Sequence, residues 1–203
     1  MKQLLIATTN PGKAKEINDF LKNSGIFCRS LADFPNASSI EETGKTFEEN
    51  AILKAKGYYA VCGIPTLADD GGLEIDALGG EPGVRSRRWI GREMTDWGIV
   101  DHILAKIKDV PRARRSARLR TVVAFFDGVE CVTESESLSG YIVEERPKEV
   151  RPGYPFRSLL FIPRFGKLFK DLTNEEHDLA NHRLKALKRL KPIIENKLSE
   201  IRQ

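Results

Sequence analysis

Asp69-Asp70-Gly71-Gly72 places two carboxylates side by side and follows them with two residues that have no side chain. Adjacent acids make poor core residues, because a buried charge is costly unless it is paired or bound to a metal. Hard oxygen ligands suit Mg2+, which commonly takes one or two protein carboxylates and completes its shell with phosphate oxygens and water. The same four residues also fit a solvated turn at a strand end, and the types alone leave both readings open. A second group is Thr8-Thr9-Asn10-Pro11-Gly12-Lys13. An apolar run ends there, a glycine-containing loop turns, and a helix begins with free N–H groups and a lysine, a geometry that receives phosphate. It is not a P-loop, since one glycine precedes Lys13 and Ala14 follows it. An ordinary strand-to-helix turn would use the same residues. Glu41-Glu42-Thr43-Gly44 could supply a carboxylate ligand, or could complement the dipole of the helix that follows. His182-Arg183, with His177 five residues earlier, makes a donor-rich edge suited to a purine's O6 and N7. A helical histidine is as readily structural, and neighbouring helical positions diverge by about 100°.

These groups need elements to carry them. Leu4–Ala7 reads as a strand, and 13–21 as a helix with Ala14, Ile17 and Phe20/Leu21 on one side. Thr46-Phe47-Glu48-Glu49 has the spacing of a capping box. The helix it starts runs to about Cys62, with Ile52, Ala55, Tyr59 and Cys62 on one face and Gly63 as its stop. Residues 65–68 read as a strand ending at the two aspartates, 73–78 as a half-exposed strand, 79–83 as a loop and 96–108 as a helix. Thr121–Phe126 is the strongest strand in the chain. Asp127-Gly128 predicts a tight hairpin turn into 129–133, and 137–143 a further strand. Thr173-Asn174-Glu175-Glu176 repeats the capping-box spacing before a last helix, with Leu179, Ala186, Leu187 and Leu190 aligned and Pro192 kinking or dividing it. Alternation of helices and strands early, with strands clustered in the middle, predicts an α/β class with a mixed sheet.

The chain has 203 residues, a length that fits a single domain with room for two lobes. With 40% hydrophobic and 31% charged residues it has an ordinary soluble composition. No apolar run is long enough for a membrane span, and the N-terminal stretch lacks a signal-peptide pattern; a cytoplasmic protein is expected. Cys28, Cys62 and Cys131 show neither metal-ligand spacing nor a disulfide framework, and buried reduced thiols are expected. A net charge of +4 is mild and does not establish nucleic-acid binding. The basic cluster Arg112–Arg120 reads as a solvated linker before a strand.

Taken together and in order, these segments resemble the inosine triphosphate pyrophosphatase family, the Ham1-like or non-canonical purine triphosphate pyrophosphatases. The stretches that carry the likeness are Ala7–Lys13, Glu41–Ala55, Leu67–Val84 and Asn181–Leu187, which span nearly the whole chain. The resemblance implies an elongated two-lobed α/β domain around a long mixed sheet flanked by helices, and usually a homodimer. It implies hydrolysis of ITP, dITP and XTP to the monophosphate and pyrophosphate, with Mg2+. By matching positions, Thr8, Thr9, Asn10, Lys13 and Gly71 would meet the phosphates. Glu41 and Asp70 would serve the metal, Asp70 would also orient or deprotonate the attacking water, and Lys13 would assist catalysis. Tyr154, Phe156, Arg157, His177, His182 and Arg183 would meet the rest of the substrate. A stable nucleic-acid partner is not expected, nor a membrane.

The sequence departs from the family's pattern mainly on the base side. Gly71 replaces a serine, Arg157 stands where the family has an aspartate, His177 where it has a lysine, and Asn181 where it has a serine. An aspartate accepts hydrogen bonds and an arginine can only donate them, so base preference is expected to differ, with Arg157 turning to a phosphate or an acidic neighbour. Two alternatives stay open: a pyrophosphatase for another base-modified or pyrimidine triphosphate, and a catalytically idle nucleotide- or RNA-binding protein, which the Arg112–Arg120 cluster would suit.

Overall fold

The computed structural model describes residues 2–86, 89–91 and 94–200. Its strands are β1 (Lys2–Ala7), β2 (Ile26–Ser30), β3 (Thr66–Ile75), β4 (Ser116–Phe126), β5 (Cys131–Ile142), β6 (Leu160–Ile162) and β7 (Lys167–Leu168). They form a seven-stranded sheet in the order β2-β1-β3-β4-β5-β6-β7. β1 runs parallel to both β2 and β3, whereas β6 is antiparallel to β5 and to β7, so the sheet is mixed. The helices are α1 (Pro11–Leu21), α2 (Phe47–Cys62), α3 (Asp96–Lys106), α4 (Asn174–Ala180) and α5 (His182–Glu200). This is the α/β class with a mixed sheet that the alternation of patterns predicts.

The chain divides into two compact units. The first comprises Met1–Asp70, Thr121–Glu136 and Arg183–Gln203, and its core gathers Leu4, Ile6, Ile17, Leu21, Leu67, Phe125, Leu187 and Leu190. The second comprises Gly71–Arg120 and Ser137–His182, and its core gathers Leu73, Ile75, Ile99, Ile103, Leu119, Ile142, Leu160 and Phe169. Each such side chain contributes about 1.5–3 kcal/mol by leaving water.

In the first unit, α1 begins where Pro11 occupies the first helical position and the Asn10 side chain accepts from the N–H groups of Gly12 and Lys13. Ile17 and Leu21, one turn apart, bury its inner face. α2 is capped by Thr46, whose hydroxyl accepts from the Glu49 N–H, and is closed by Gly63 in the left-handed conformation. The reciprocal half of the expected capping box does not form: the Glu49 carboxylate takes the Lys45 N–H at 2.6 Å instead. The buried stripe of α2 is Phe47, Ala51, Ala55 and Tyr58, together with Asn50. Ile52, Tyr59 and Cys62 from the expected face are only half-buried, and Tyr59 packs edge-on to Phe126 at 5.0 Å.

Four further expectations are corrected. Asp69-Asp70-Gly71-Gly72 is neither a turn nor a strand end; it lies inside the ten-residue β3, which continues through 73–75. Residues 137–142 are not a separate strand but the second half of β5, which starts only after a four-residue turn in which the Asp127 carboxylate accepts the N–H groups of Val129 and Glu130. The last helix is divided at Asn181, between α4 and α5, while α5 continues through Pro192. That break resets the helical phase and leaves Leu179 54% exposed. The three cysteines are free and half-buried rather than buried.

The basic cluster is a solvated linker before β4, where Arg112 and Arg114 are exposed, but its later part is not. Arg115 is buried and donates to the carbonyls of Val110, Val143 and Lys108. Arg118 pairs with Glu74 and Asp76, and Arg120 lies 4.0 Å from Glu74. Glu74 and Asp76 thus offset the charge of Arg118 and Arg120 within the second unit. Among the described residues no helix is long and apolar enough to cross a membrane.

Candidate active site

In the first unit the two aspartates of β3 have separate surroundings, as the period-two alternation of a strand requires. Asp69 is fully buried, and its Oδ2 receives Lys13 Nζ at 2.9 Å and Arg183 Nε at 3.1 Å. Arg183 also pairs through Nη1 with Glu16 of α1. Burial alone would raise the Asp69 pKa, but the charges of Lys13, Arg183 and Lys54 outweigh it and hold the carboxyl far below the usual range. Burial, helped by Arg183 and Lys54, lowers the Lys13 pKa, and Asp69 opposes the shift. Lys13 thus stands at the start of α1 as a half-buried cation anchored by a carboxylate held ionised well into acid.

Asp70 takes part in another network. Asn50 Nδ2 donates to its Oδ2 at 3.1 Å, and Lys54 Nζ lies 3.4 Å from its Oδ1. Lys54 reaches Glu42 at 2.8 Å. Burial raises the Asp70 pKa and the Glu42 charge adds to the rise, while Lys54, Lys13 and the Asn50 hydrogen bond act against it. Burial lowers the Lys54 pKa in isolation, but Asp70, Asp69 and Glu42 together bring it above its ordinary value. Asp70 is consequently a more basic carboxylate than Asp69, and the two are adjacent in sequence.

Of the acidic pair before α2, Glu42 is the residue held near Asp70; Glu41 is exposed. Thr8 accepts the Asn10 N–H on its hydroxyl and so shapes the turn before α1, Thr9 is exposed, and Gly71 continues β3. Gly72 has a steric reason: a Cβ there would lie 2.2 Å from Ser86 Oγ.

The second unit holds an aromatic and cationic cluster. The loop 153–158 is fastened by the Gly153 N–H, which donates to Asp96 at the start of α3 at 2.7 Å. Arg157, 5% exposed, lies 4.0 Å from the Tyr154 ring centroid and 4.9 Å from that of Phe169. Its Nη1 meets His177 Nε2 at 2.9 Å, and the His177 ring stacks on Phe169 at 5.4 Å. Since a guanidinium only donates, Nε2 is the accepting nitrogen of that contact. Phe156 packs against the unit's core, and His182, 5% exposed, tilts against Phe169 at 6.3 Å. Arg157 thus takes aromatic faces and an imidazole among its partners. The two residues that depart from the family's pattern here, Arg157 and His177, touch each other.

Three participants escaped the reading of the sequence. Asp69 was seen only as half of an acidic pair, yet strand periodicity separates it from Asp70. Lys54 and Asn50 lie one turn apart on α2, a spacing the sequence displays, but helix amphipathicity gives no reason to turn a lysine and an asparagine inward.

The site thus sits on an α/β scaffold, with Lys13 on a capped helix paired to a buried acidic strand centre. The chain matches the Ham1 family over residues 4–193, and it belongs to that family. It is similar to the dITP/XTP pyrophosphatase of Bacillus subtilis, with 38% identity over 96% of this chain and 98% of the relative. The dITP/XTP pyrophosphatase of Halalkalibacterium halodurans is 38% identical over 94% of this chain and 97% of the relative. Among solved structures, a HAM1 protein from Coxiella burnetii superposes with a TM-score of 0.85 at 30% identity, covering 96% of this chain and 98% of the other. A nucleoside-triphosphatase / dITP/XTP pyrophosphatase from Mycobacterium abscessus gives a TM-score of 0.75 at 34% identity, over 94% and 99%.

Proposed function

We propose that this chain is a Mg2+-dependent nucleoside triphosphate pyrophosphatase that converts non-canonical purine triphosphates, ITP, dITP and XTP, to the monophosphate and pyrophosphate. The observation that carries the reading is Asp70: a largely buried carboxylate in the middle of a strand, made more basic by burial and Glu42, with Lys54 and Asn50 turned toward it.

The donor set suits Mg2+. Among the described residues no group of three or more His, Cys, Asp or Glu side chains is arranged to hold a metal by itself. One or two carboxylates are what Mg2+ usually takes from a protein when phosphate supplies the other oxygens. Asp70 and Glu42 are carboxylates whose mutual repulsion a divalent cation would relieve. The second position belongs to Glu41, as the sequence likeness implies; its neighbour Glu42 is paired with Lys54, which also reaches Asp70. When bound, Mg2+ would polarise a water molecule and offset phosphate charge.

In this reading the Asp70 carboxylate accepts the proton of a water whose oxygen attacks the α-phosphorus. The bond from the α-phosphorus to the bridging oxygen breaks, and pyrophosphate leaves with that oxygen. Lys13 offsets the triphosphate's charge, while the N–H groups that open α1 are already taken by Asn10 rather than free as the sequence suggests; Lys54 keeps Asp70 anionic. Cleavage of this kind depends chiefly on positioning and charge neutralisation. Tyr154, Phe156, Arg157, His177 and His182 are assigned to the base and sugar, with Gly71 at the phosphates. Arg183 enters with its head already oriented by Asp69 and Glu16. A homodimer, as the family likeness implies, and a cytoplasmic location are part of the same proposal.

The test is pyrophosphate release from a panel of triphosphates (inosine, xanthosine, the four standard ones and several pyrimidine variants) with Mg2+, using Asp70→Asn as control. Release from inosine and xanthosine triphosphates, abolished in the variant, is expected. Release from a different nucleotide would reassign the substrate, and no release from any would refute the enzyme reading.

A further inference from the structure

Asn50 closes a ring of contacts that the proposed chemistry does not itself require. It lies in the first turn of α2, 1% exposed, on the face that otherwise buries Phe47, Ala51 and Ala55. A buried amide is costly there unless both of its ends find partners. Both do. Oδ1 accepts the Gly44 N–H at 2.7 Å, and Nδ2 donates to Asp70 Oδ2 at 3.1 Å. The orientation is dictated, because a backbone N–H can only donate and a carboxylate only accepts. Gly44 permits the approach: a Cβ there would stand 2.6 Å from Asn50 Oδ1 and 2.9 Å from the Asn50 backbone nitrogen. Two residues before Gly44, Glu42 holds Lys54, and Lys54 returns to the other oxygen of Asp70.

We infer that Asn50 is a positioning residue: steered by the Gly44 N–H, its amide sets the Asp70 carboxylate and ties to it the segment that carries Glu41 and Glu42, so that Asp70 and the acid of that segment meet a divalent cation at a preset spacing. The inference rests on the metal-dependent reading above, and it makes Gly44 part of the same device although Gly44 has no side chain. Polar partners behind metal-binding carboxylates fix their orientation, and losing one typically weakens metal affinity by about 10- to 100-fold.

The experiment measures Mn2+ binding to the full-length protein, without nucleotide, by electron paramagnetic resonance. Wild type, Asn50→Ala, Gly44→Ala and the double variant are compared, each with a thermal melt. Asn50→Ala is expected to weaken Mn2+ binding by about tenfold, and Gly44→Ala to do the same by displacing the amide it steers. The double variant should bind within about twofold of Asn50→Ala, because the two changes break one device. In the release assay the Mg2+ needed for half-maximal rate should rise in parallel, with the KM for nucleotide at saturating Mg2+ unchanged. A merely structural Asn50 would lower the melting midpoint while folded protein bound Mn2+ as wild type does; that result, or fully additive losses, overturns the inference. Absence of Mn2+ binding in the wild type overturns it as well. If Asn50→Ala does not fold, Gly44→Ala decides by the same criterion. Wild type that binds Mn2+ but releases no pyrophosphate would sink the pyrophosphatase reading and leave the Asn50 result standing.

Discussion

Replacing Asp69 with asparagine keeps the shape of a fully buried side chain and removes one charge. Two cations converge on its Oδ2, but they do not lose equally. Arg183 keeps Glu16, whereas Lys13 loses its anchoring carboxylate in a place where burial already lowers its pKa. Breaking one side of a buried ion pair costs about 3–5 kcal/mol. The Lys13 side chain is 19% exposed and can relax toward water, so the lower end, about 3 kcal/mol, is expected. For a chain of this size each kcal/mol moves the melting midpoint by about 2–4 °C, so the variant should melt about 6–12 °C below wild type at pH 7. The sign of the pH dependence follows from the lowered folded-state pKa of Asp69. Its contribution is complete above the unfolded value of about 3.9 and fades as the pH falls below it, so the gap between wild type and variant should narrow from pH 5 toward pH 2. Scanning calorimetry across that range measures both quantities. Adding Lys13→Met should recover part of the loss, because the stranded cation is gone. A midpoint within about 2 °C of wild type at pH 7, or a gap that widens in acid, would refute the account.

Three further outcomes are expected. Lys54→Met removes the cation beside Asp70 and should reduce kcat by about a hundredfold, measured by pyrophosphate release, since losing one well-placed electrostatic partner typically costs about that much. Arg115→Lys cannot reproduce a guanidinium spread over the carbonyls of Val110, Val143 and Lys108, and should lower stability by about 2 kcal/mol in urea unfolding. Arg157→Asp replaces donors by acceptors and takes away the partner of His177; the ratio of kcat/KM for inosine over adenosine triphosphate should change by about tenfold, and an unchanged ratio would remove Arg157 from base recognition.

Much of this architecture was legible because local rules and packing agree. The Asn10 turn, the Thr46 cap and the Gly63 stop each announce a helix boundary, and all three act where their chemistry predicts. Legibility failed where tertiary partners override local preference. Two acids and two glycines signal a turn to any propensity argument, yet β3 passes straight through them because Lys13, Arg183, Lys54 and Asn50 satisfy the acids and Ser86 fills the space beside Gly72. The arginine run looked solvated because its partners, Glu74, Asp76 and three carbonyls, lie some 5 to 44 residues away. The short strands β6 and β7 and the edge strand β2, which buries only Ile26 fully, have too little periodicity to be seen. For the site, the sequence named Asp70 and Lys13, while Asn50 and Lys54 emerge only when α2 is placed against β3.

The doubled aspartate of β3 also bears on how the gene can change. Two identical neighbours look like a spare copy, as though one could drift while the other kept watch. Their side chains point to opposite sides of a strand, one into a permanent ionic lock and the other toward Asn50 and Lys54, so neither can stand in for the other. A one-codon deletion between them would move every following residue of β3 to the wrong face at a stroke. The repeat is therefore a fragile stretch of reading frame, where a length change that an exposed loop would absorb should be lethal to folding and turnover together.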